Sequence, residues 1–242
     1  MIGIIGAMED EVALLKEQIH ESQTERLGGF DMFTGILEEK QVCLVQCGIG
    51  KVNAAIGCTM LIRAHNPDLI INTGSAGGVI PGLEIGDTVI ANGLTYHDVD
   101  LTAFSYAIGQ LPGMPQVFPV LEPFISQAER AIDELITEKI LPKIYHYRRG
   151  LIGSGDMFMH DPHQVKALCI QFPNLCAVDM ESGAIAQTCF RFNVPVLVIR
   201  SISDHAGYES PMNFDEFLAV ASNNSAEIVR RIVKNAPDSF KP

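Results

Sequence analysis

Apolar residues fall in short unbroken runs, separated by longer segments in which they recur every three or four positions. This pattern alternates buried strands with amphipathic helices. Residues 2–5 form a continuous apolar strand closed by Gly6, and residues 8–19 place Val12, Leu15 and Ile19 on one helical face with Glu11 in the first turn. Residues 33–37 and 42–46 read as a strand pair around a polar turn, after which Gly48 and Gly50 lead into a helix over 51–64. A strand at 68–72 runs into the small residues Thr73 to Gly78, where a backbone without bulk lets a ligand approach closely. Strands follow at 87–91, 150–154, 177–178 and 196–201, and helices at 127–141 and 181–192. The aperiodic stretch 97–119, rich in Gly, Pro and aromatic residues, reads as a long loop of the kind that carries function. Asn213 with Glu216 reads as a capping box opening a last long helix through Phe217, Ala221, Ile228 and Ile232. The order predicts an α/β fold, a central sheet covered by helices, as a single domain over residues 1–242.

Composition narrows the function. With 47% hydrophobic and 19% charged residues, the 242-residue chain is globular and long enough to bury a core without cross-links. Seventeen Lys and Arg against 29 Asp and Glu give a net charge of −12, a field that repels nucleic acid and anionic membrane. The six cysteines lie in apolar stretches without zinc-ligand spacing and read as buried, reduced thiols, so no metal is expected. Residues 1–8 hold no basic side chain and run straight into Glu9, Asp10 and Glu11, unlike a secretory leader. Apolar runs stop far short of the roughly 20 residues that span a bilayer. A cytoplasmic protein is expected.

Several chemistries have no foothold. Gly3-Ile4-Ile5-Gly6 lacks the spacing that seats a dinucleotide on a helix N-terminus. Gly48-Ile49-Gly50-Lys51 resembles the end of a phosphate-binding loop, but Val45 and Val52 occupy the positions of the first glycine and the magnesium-binding hydroxyl. No GxSxG elbow or HExxH helix is present, the seven histidines are scattered and read as surface or satisfied polar residues, and no cofactor is implied.

Three acidic sites remain at strand ends or helix starts: Glu11, Asp179 to Glu181, and Asp204. Singly, each fits an ordinary turn or helix-start acid better than a catalytic one, and Met8, Met180, Phe158 and Phe214 fit core packing. Arg200 is harder to place, because a charge ending the apolar run 196–199 needs a partner. The ordered set reverses those odds. Gly3-Ile-Ile-Gly-Ala-Met-Glu-Asp-Glu11, Gly48-Ile-Gly-Lys-Val52, Asn72-Thr-Gly-Ser-Ala-Gly77, Ser154-Gly-Asp156, Met180-Glu181 and Ser201-Ile-Ser-Asp204 together resemble the 5′-methylthioadenosine/S-adenosylhomocysteine nucleosidases. The resemblance spans residues 2 to about 233.

The resemblance implies a three-layer α/β/α domain with a mixed, twisted sheet of the nucleoside phosphorylase type, hydrolysing the bond between adenine and a 5′-thio-substituted ribose. It makes Asp204, beside Ser203, the general acid at the base and Glu11 the group that activates water, which requires a raised pKa at Asp204. Glu181 is an ionised carboxylate gripping the ribose hydroxyls, Met180 packs on the ribose, and Arg200 holds Glu11 or Glu181 ionised. Phe158 stacks on adenine and the backbone of Met159 meets its edge. Met8, Ile49 and Phe214 form apolar walls, and Ser75, Ala76 and Gly77 line the floor. Phe104, Tyr106 and Pro112 close over the neighbouring subunit of a homodimer.

Asp179-Met180-Glu181-Ser182 departs from the usual Glu-Met-Glu-Ala, and Phe158-Met159-His160 from the usual Phe-Ile, which bears on substrate breadth, including 6-amino-6-deoxyfutalosine. A purine nucleoside phosphorylase on the same fold is the nearest rival. It needs cations for phosphate, whereas Glu9, Asp10 and Glu11 offer three acids and no Arg. A nucleoside-binding protein without turnover is the other alternative.

Overall fold

A computed structural model describes residues 1–207 and 211–237, with the side chains of 211–217 and 219 left out. Along the chain run β1 (Ile2–Gly6), α1 (Glu9–Gln18), β2 (His20–Leu27), β3 (Phe30–Leu37), β4 (Lys40–Gln46), α2 (Lys51–His65), β5 (Leu69–Gly78) and β6 (Thr88–Tyr96). After a single 3-10 turn at Thr102–Phe104 come β7 (Phe118–Pro119), α3 (Glu122–Thr137), β8 (Tyr147–Ser154), α4 (Pro162–Gln171), β9 (Leu175–Asp179), α5 (Ser182–Phe192), β10 (Val196–His205) and α6 (Pro211–Lys234). The strands form one mixed sheet. Helices α1, α3 and α6 pack together, as do α2 and α5, so helical layers flank the sheet as expected.

The sheet turns on β5. Its first half pairs with β1 in parallel, Ile2 opposite Leu69 and Ile5 opposite Asn72. At Gly77 and Gly78 the same edge pairs instead with β9, antiparallel. Its other edge pairs with β10 throughout. Because β10 continues through β6, β8 and β9 back to β5, these five strands close on themselves, and β1, β4, β3 and β2 extend outward as an arm. Between residues 72 and 77 the first edge of β5 has no strand beside it, and the chain leaving β1 turns there into α1.

The periodic elements lie where the hydrophobic pattern predicts, with corrections at several boundaries. The small-residue run after Asn72 belongs to β5 itself, and β10 continues through Asp204 to His205, past the expected end at 201. The third helix runs from Glu122 rather than 127, begun by a proline in its first turn. The last helix opens at Pro211, ahead of the expected Asn213 cap; that cap, like the expected Phe214 wall, concerns side chains outside those described. Strand β2 and helix α4 escape the hydrophobic pattern, and the stretch read as a loop holds the 3-10 turn and the short β7. Strand β2, His-Glu-Ser-Gln-Thr-Glu-Arg-Leu, has almost every side chain exposed and is held by backbone pairing to β3. Its signal is the Gly28-Gly29 turn, both residues at positive φ as a two-residue hairpin requires. Helix α4 is announced only by its start, where Asp161 accepts the His163 amide at 2.8 Å ahead of Pro162.

Gly77 sits where β5, β9 and β10 meet. A Cβ there would lie 3.2 Å from Asp204 Oδ2 and from Ala206 Cβ, and 3.5 Å from Val178 Cγ2. Gly77→Val should therefore cost about 1–3 kcal/mol of stability in urea unfolding, as overpacking of a closed core does, and should lower activity as Asp204 is displaced. Unchanged unfolding would show that the strand junction has room to spare.

Candidate active site

A cavity of about 300 Å³ opens at the gap in β5. Met8 and Glu11 reach it from α1, Ile49 from the turn before α2, and Ser75, Ala76 and Gly77 from β5. Phe158 and Met159 enter from the loop after β8, Met180 and Glu181 from the link between β9 and α5, and Ser203 and Asp204 from β10. Twelve of the expected residues thus share one cavity, drawn from six separate stretches of chain.

Glu11 is built in. It is the third residue of α1, and its Oε2 accepts the amides of Ala7 at 2.9 Å and Met8 at 3.1 Å, filling donors that a helix start leaves open. Its Oε1 reaches across the gap to the Ser75 amide at 2.9 Å and the Ser75 hydroxyl at 3.0 Å. The helix-cap role and the cavity role are thus combined in one carboxylate. The approach depends on Gly74, where a Cβ would stand 2.8 Å from Glu11 Oε1. Glu9 and Asp10 do not join it: both are exposed, and Glu9 lies 3.7 Å from Lys16. The expected wall of three acids is corrected to one, because successive helical residues point about 100° apart.

Arg200 lies just behind the cavity, 2% exposed. Its Nε donates to Asp179 Oδ2 at 2.8 Å and an Nη donates to Asn72 Oδ1 at 2.7 Å, while Asn72 donates to the Ile5 carbonyl at 2.9 Å. Burial works against its charge, but Asp179, Glu11 and Glu181 outweigh that and hold it ionised. Its hydrogen bonds go to Asp179 and Asn72 rather than to Glu11 or Glu181, so it acts on those two through space. Asp179 is itself fixed by the Ser154 hydroxyl at 2.5 Å, and Ser154 accepts the Gly183 amide at 2.7 Å. The apolar run 69–71 followed by Asn72 carried a signal for this network, while the pairing of Asp179 with Arg200 did not show in the sequence.

Glu181 ends the link before α5, 8% exposed, and accepts the Gly50 amide at 2.9 Å. Burial pushes its carboxyl up to about 7, with Asp179 and Glu11 adding to the rise and Arg200 and the Gly50 amide opposing it. The carboxyl expected as an ionised acceptor thus lies well above the ordinary carboxylate range. Asp204, 6% exposed, accepts the Ser203 hydroxyl at 2.8 Å, and that hydroxyl also lies 3.4 Å from the Ala76 carbonyl. Met159 is buried and its carbonyl accepts the Gly207 amide at 2.9 Å, whereas Phe158 is 41% exposed at the cavity mouth. Ala7, Met157, Val178 and Ala206 complete the apolar lining and were not foreseen.

Phe104, Tyr106 and Pro112 do not line this cavity; Phe104 is 74% exposed on the loop between β6 and β7. All six cysteines are free, with Cys169 half-buried and the others buried. Cys47 lies near Glu181 and Glu11, and its thiol is pushed up to about 12 by burial and by those carboxylates, which leaves it inert as a nucleophile. Among the described residues no three His, Cys, Asp or Glu side chains gather as metal ligands would, and no helix is long and apolar enough to cross a membrane.

Residues 1–234 match the family model of the phosphorylase superfamily. A 5′-methylthioadenosine/S-adenosylhomocysteine nucleosidase from Marinomonas sp. (strain MWYL1) is 44% identical over 234 residues, 97% of this chain and 98% of that protein. One of the same name from Anoxybacillus flavithermus is 46% identical over 232 residues, 96% of this chain and 97% of the relative. The crystal structure of the Neisseria meningitidis 5′-methylthioadenosine/S-adenosylhomocysteine nucleosidase in complex with methylthio-immucillin-A superposes with a TM-score of 0.92 at 42% identity, covering 97% of this chain and 99% of that one.

The raised Glu181 carboxyl has a consequence for stability. The folded state holds its proton more tightly than the unfolded chain, so stability falls as pH rises from about 4.5 through about 7 and the loss is complete above that. Glu181→Gln should stabilise the protein at pH 8 by up to roughly 3 kcal/mol and much less at pH 5. Thermal unfolding at the two pH values measures the difference; an equal effect at both would mean that Glu181 titrates normally.

Proposed function

The chain belongs to the 5′-methylthioadenosine/S-adenosylhomocysteine nucleosidases of the phosphorylase superfamily, and we propose that it hydrolyses the N-glycosidic bond of 5′-methylthioadenosine and S-adenosylhomocysteine through Glu11 and Asp204. The observation that carries this reading is that both buried carboxylates face one apolar cavity, from α1 and from β10. Adenine leaves poorly as an anion. Asp204 donates a proton to the imidazole part of the purine, the bond to the sugar breaks with its electrons passing to the base, and positive charge develops on the sugar. Glu11 takes a proton from water as the water oxygen bonds to that carbon, giving adenine and the free 5′-thioribose. Glu181, in its ionised form, accepts hydrogen bonds from the ribose hydroxyls, and this contact strengthens as the sugar turns cationic toward the transition state. Phe158 covers the base face, and the Met159 backbone meets its edge.

Water rather than phosphate is the attacking group. Glu11, Asp179 and Glu181 stand at the end that takes the sugar, and the one cation among the described residues there, Arg200, is already committed to Asp179 and Asn72. A phosphate dianion would meet carboxylates with no free positive partner, at a cost of several kcal/mol in a poorly solvated pocket, of order. The repulsion comes from this buried cluster rather than from Glu9 and Asp10.

With 5′-methylthioadenosine as substrate, adenine release should be the same with and without phosphate, and the sugar should have the mass of free 5-methylthioribose. Glu11→Gln and Asp204→Asn should each lower turnover by at least about a hundredfold while adenine still binds. Methylthioribose 1-phosphate as the main product would replace this reading with a phosphorylase, and near-normal turnover in either variant would remove that residue from the chemistry.

The working form is a homodimer in the cytoplasm. Ile49 at the cavity mouth is 52% exposed and Val52 on the next turn 69% exposed, with Ile56, Phe190 and Phe104 adding further exposed apolar surface. Such surface on an acidic protein needs a cover, and a second copy supplies one, its loop with Phe104, Tyr106 and Pro112 closing the 5′ end of the cavity. Sedimentation should give a dimer, and Phe104→Ala should raise KM for 5′-methylthioadenosine more than it lowers kcat. A fully active monomer would rule out the shared site.

A further inference from the structure

Lys51 and Asp156, charged residues of two different ordered motifs, do not line the cavity, and the two residues meet. The Lys51 amide donates to Asp156 Oδ1 at 2.8 Å. The Lys51 ammonium pairs with Asp98 Oδ2 at 2.5 Å and lies 3.8 Å from Asp156 Oδ2, while the Asp156 amide donates to the same Asp98 oxygen at 3.0 Å. Three stretches of chain are tied here: the turn into α2, the residues just after β6, and the loop after β8. The ammonium also lies 5.5 Å above the Tyr96 ring, whose hydroxyl donates to Gln187 of α5 at 2.6 Å. The His97 ring packs where a Cβ on Gly155 would stand, 2.4 Å from its Cε1, which fixes the loop from a second side.

The residue before Lys51 is Gly50, whose amide donates to Glu181 Oε1 at 2.9 Å from a backbone with φ of +96°. Glycine alone reaches that conformation without strain, and little within the residue itself holds it there. The adjoining peptide is held at both its amide and its side chain, so the direction of the Gly50 N–H is set from outside. We propose that Lys51, Asp98 and Asp156 form a positioning clamp that keeps the Gly50 amide on Glu181 and so fixes how Glu181 meets the sugar hydroxyls. This rests on the nucleosidase reading of Glu181.

The charges around Glu181 make the clamp measurable. Asp179 from β9 and Glu11 from α1 push its carboxyl up, Arg200 from β10 pulls it down, Cys47 after β4 faces it as a neutral thiol, and the Gly50 amide lowers it. Within the clamp, burial raises Asp98, but the bond from Lys51, the Asp156 amide and the charge of Lys51 outweigh it and hold Asp98 below its ordinary value. His97, driven down by burial and with its Nε2 lacking a partner, stays neutral. Releasing the Gly50 amide therefore moves Glu181 upward.

The test compares the wild type with Lys51→Met, which keeps the apolar stem, Asp98→Ala, and Asp98→Asn, which keeps an acceptor for the Asp156 amide. Two readouts are taken: kcat/KM for 5′-methylthioadenosine against pH, and hydrogen exchange at the Gly50 amide without substrate, with the core amides of Ile4 and Ile71 as a check on folding. Lys51→Met and Asp98→Ala should move the acidic limb of the profile up by about one pH unit and speed Gly50 exchange by at least about tenfold. Asp98→Asn should fall between them and the wild type, and the core amides should stay protected. The proposal is overturned if activity drops with the limb unmoved, which is the mark of a merely structural role, or if Gly50 keeps its protection. A wild type that releases no adenine defeats the nucleosidase reading, and Gly50 exchange then decides the clamp alone.

Discussion

The cavity depends on a strand that changes neighbours. Along its first half β5 is paired on both edges, to β1 and β10, and at its end it is paired again, to β9 and β10. Between those pairings one edge has no strand to satisfy it, and a buried backbone amide without a partner is costly. The Glu11 carboxylate fills that need at the Ser75 amide while also accepting two amides at the start of its own helix. A buried carboxylate held by four donors is thus a consequence of how the sheet closes. The proposed catalytic role of Glu11 would use a charge that already serves the fold's own backbone.

The second constraint is charge balance. Three buried carboxylates, Glu11, Asp179 and Glu181, act on one buried arginine, Arg200. Arg200 bonds to Asp179 rather than to Glu181, so burial, with Asp179 and Glu11 adding to it, pushes Glu181 toward neutrality. An enzyme whose transition state carries positive charge gains from this arrangement. On the proposed mechanism, Glu181 costs less to bury while protonated, and its ionised form is the one that favours a cationic sugar. The same cluster of buried carboxylates disfavours a phosphate dianion, so the proposed hydrolysis and the tuning of Glu181 rest on one group of charges.

Much of this was legible in the chain. Runs of buried apolar residues placed β1, β4, the start of β5 and the start of β10, and six ordered motifs led to the family and to twelve side chains of one cavity. The readings that needed correction share a cause. Polar β2 is held by backbone pairing, which leaves no hydrophobic period. Residues 73–78, read as a small-residue stretch beyond the strand, stay extended because β10 runs beside them. Glu9 and Asp10 looked equivalent to Glu11 because sequence distance does not reveal which way a helix faces.

What the sequence determined by itself is local. Glu11 meets the amides of Ala7 and Met8 within its own first turn, and Asp204 is bonded to its neighbour Ser203. Only the tertiary structure decided which carboxylate is balanced and which is not. The Gly50 amide reaches Glu181 across 131 positions, Asn72 reaches Arg200 across 128, and Ser75 reaches Glu11 across 64. Burial and charge pairing are properties of the space around a group, and that space exists only once distant segments have packed.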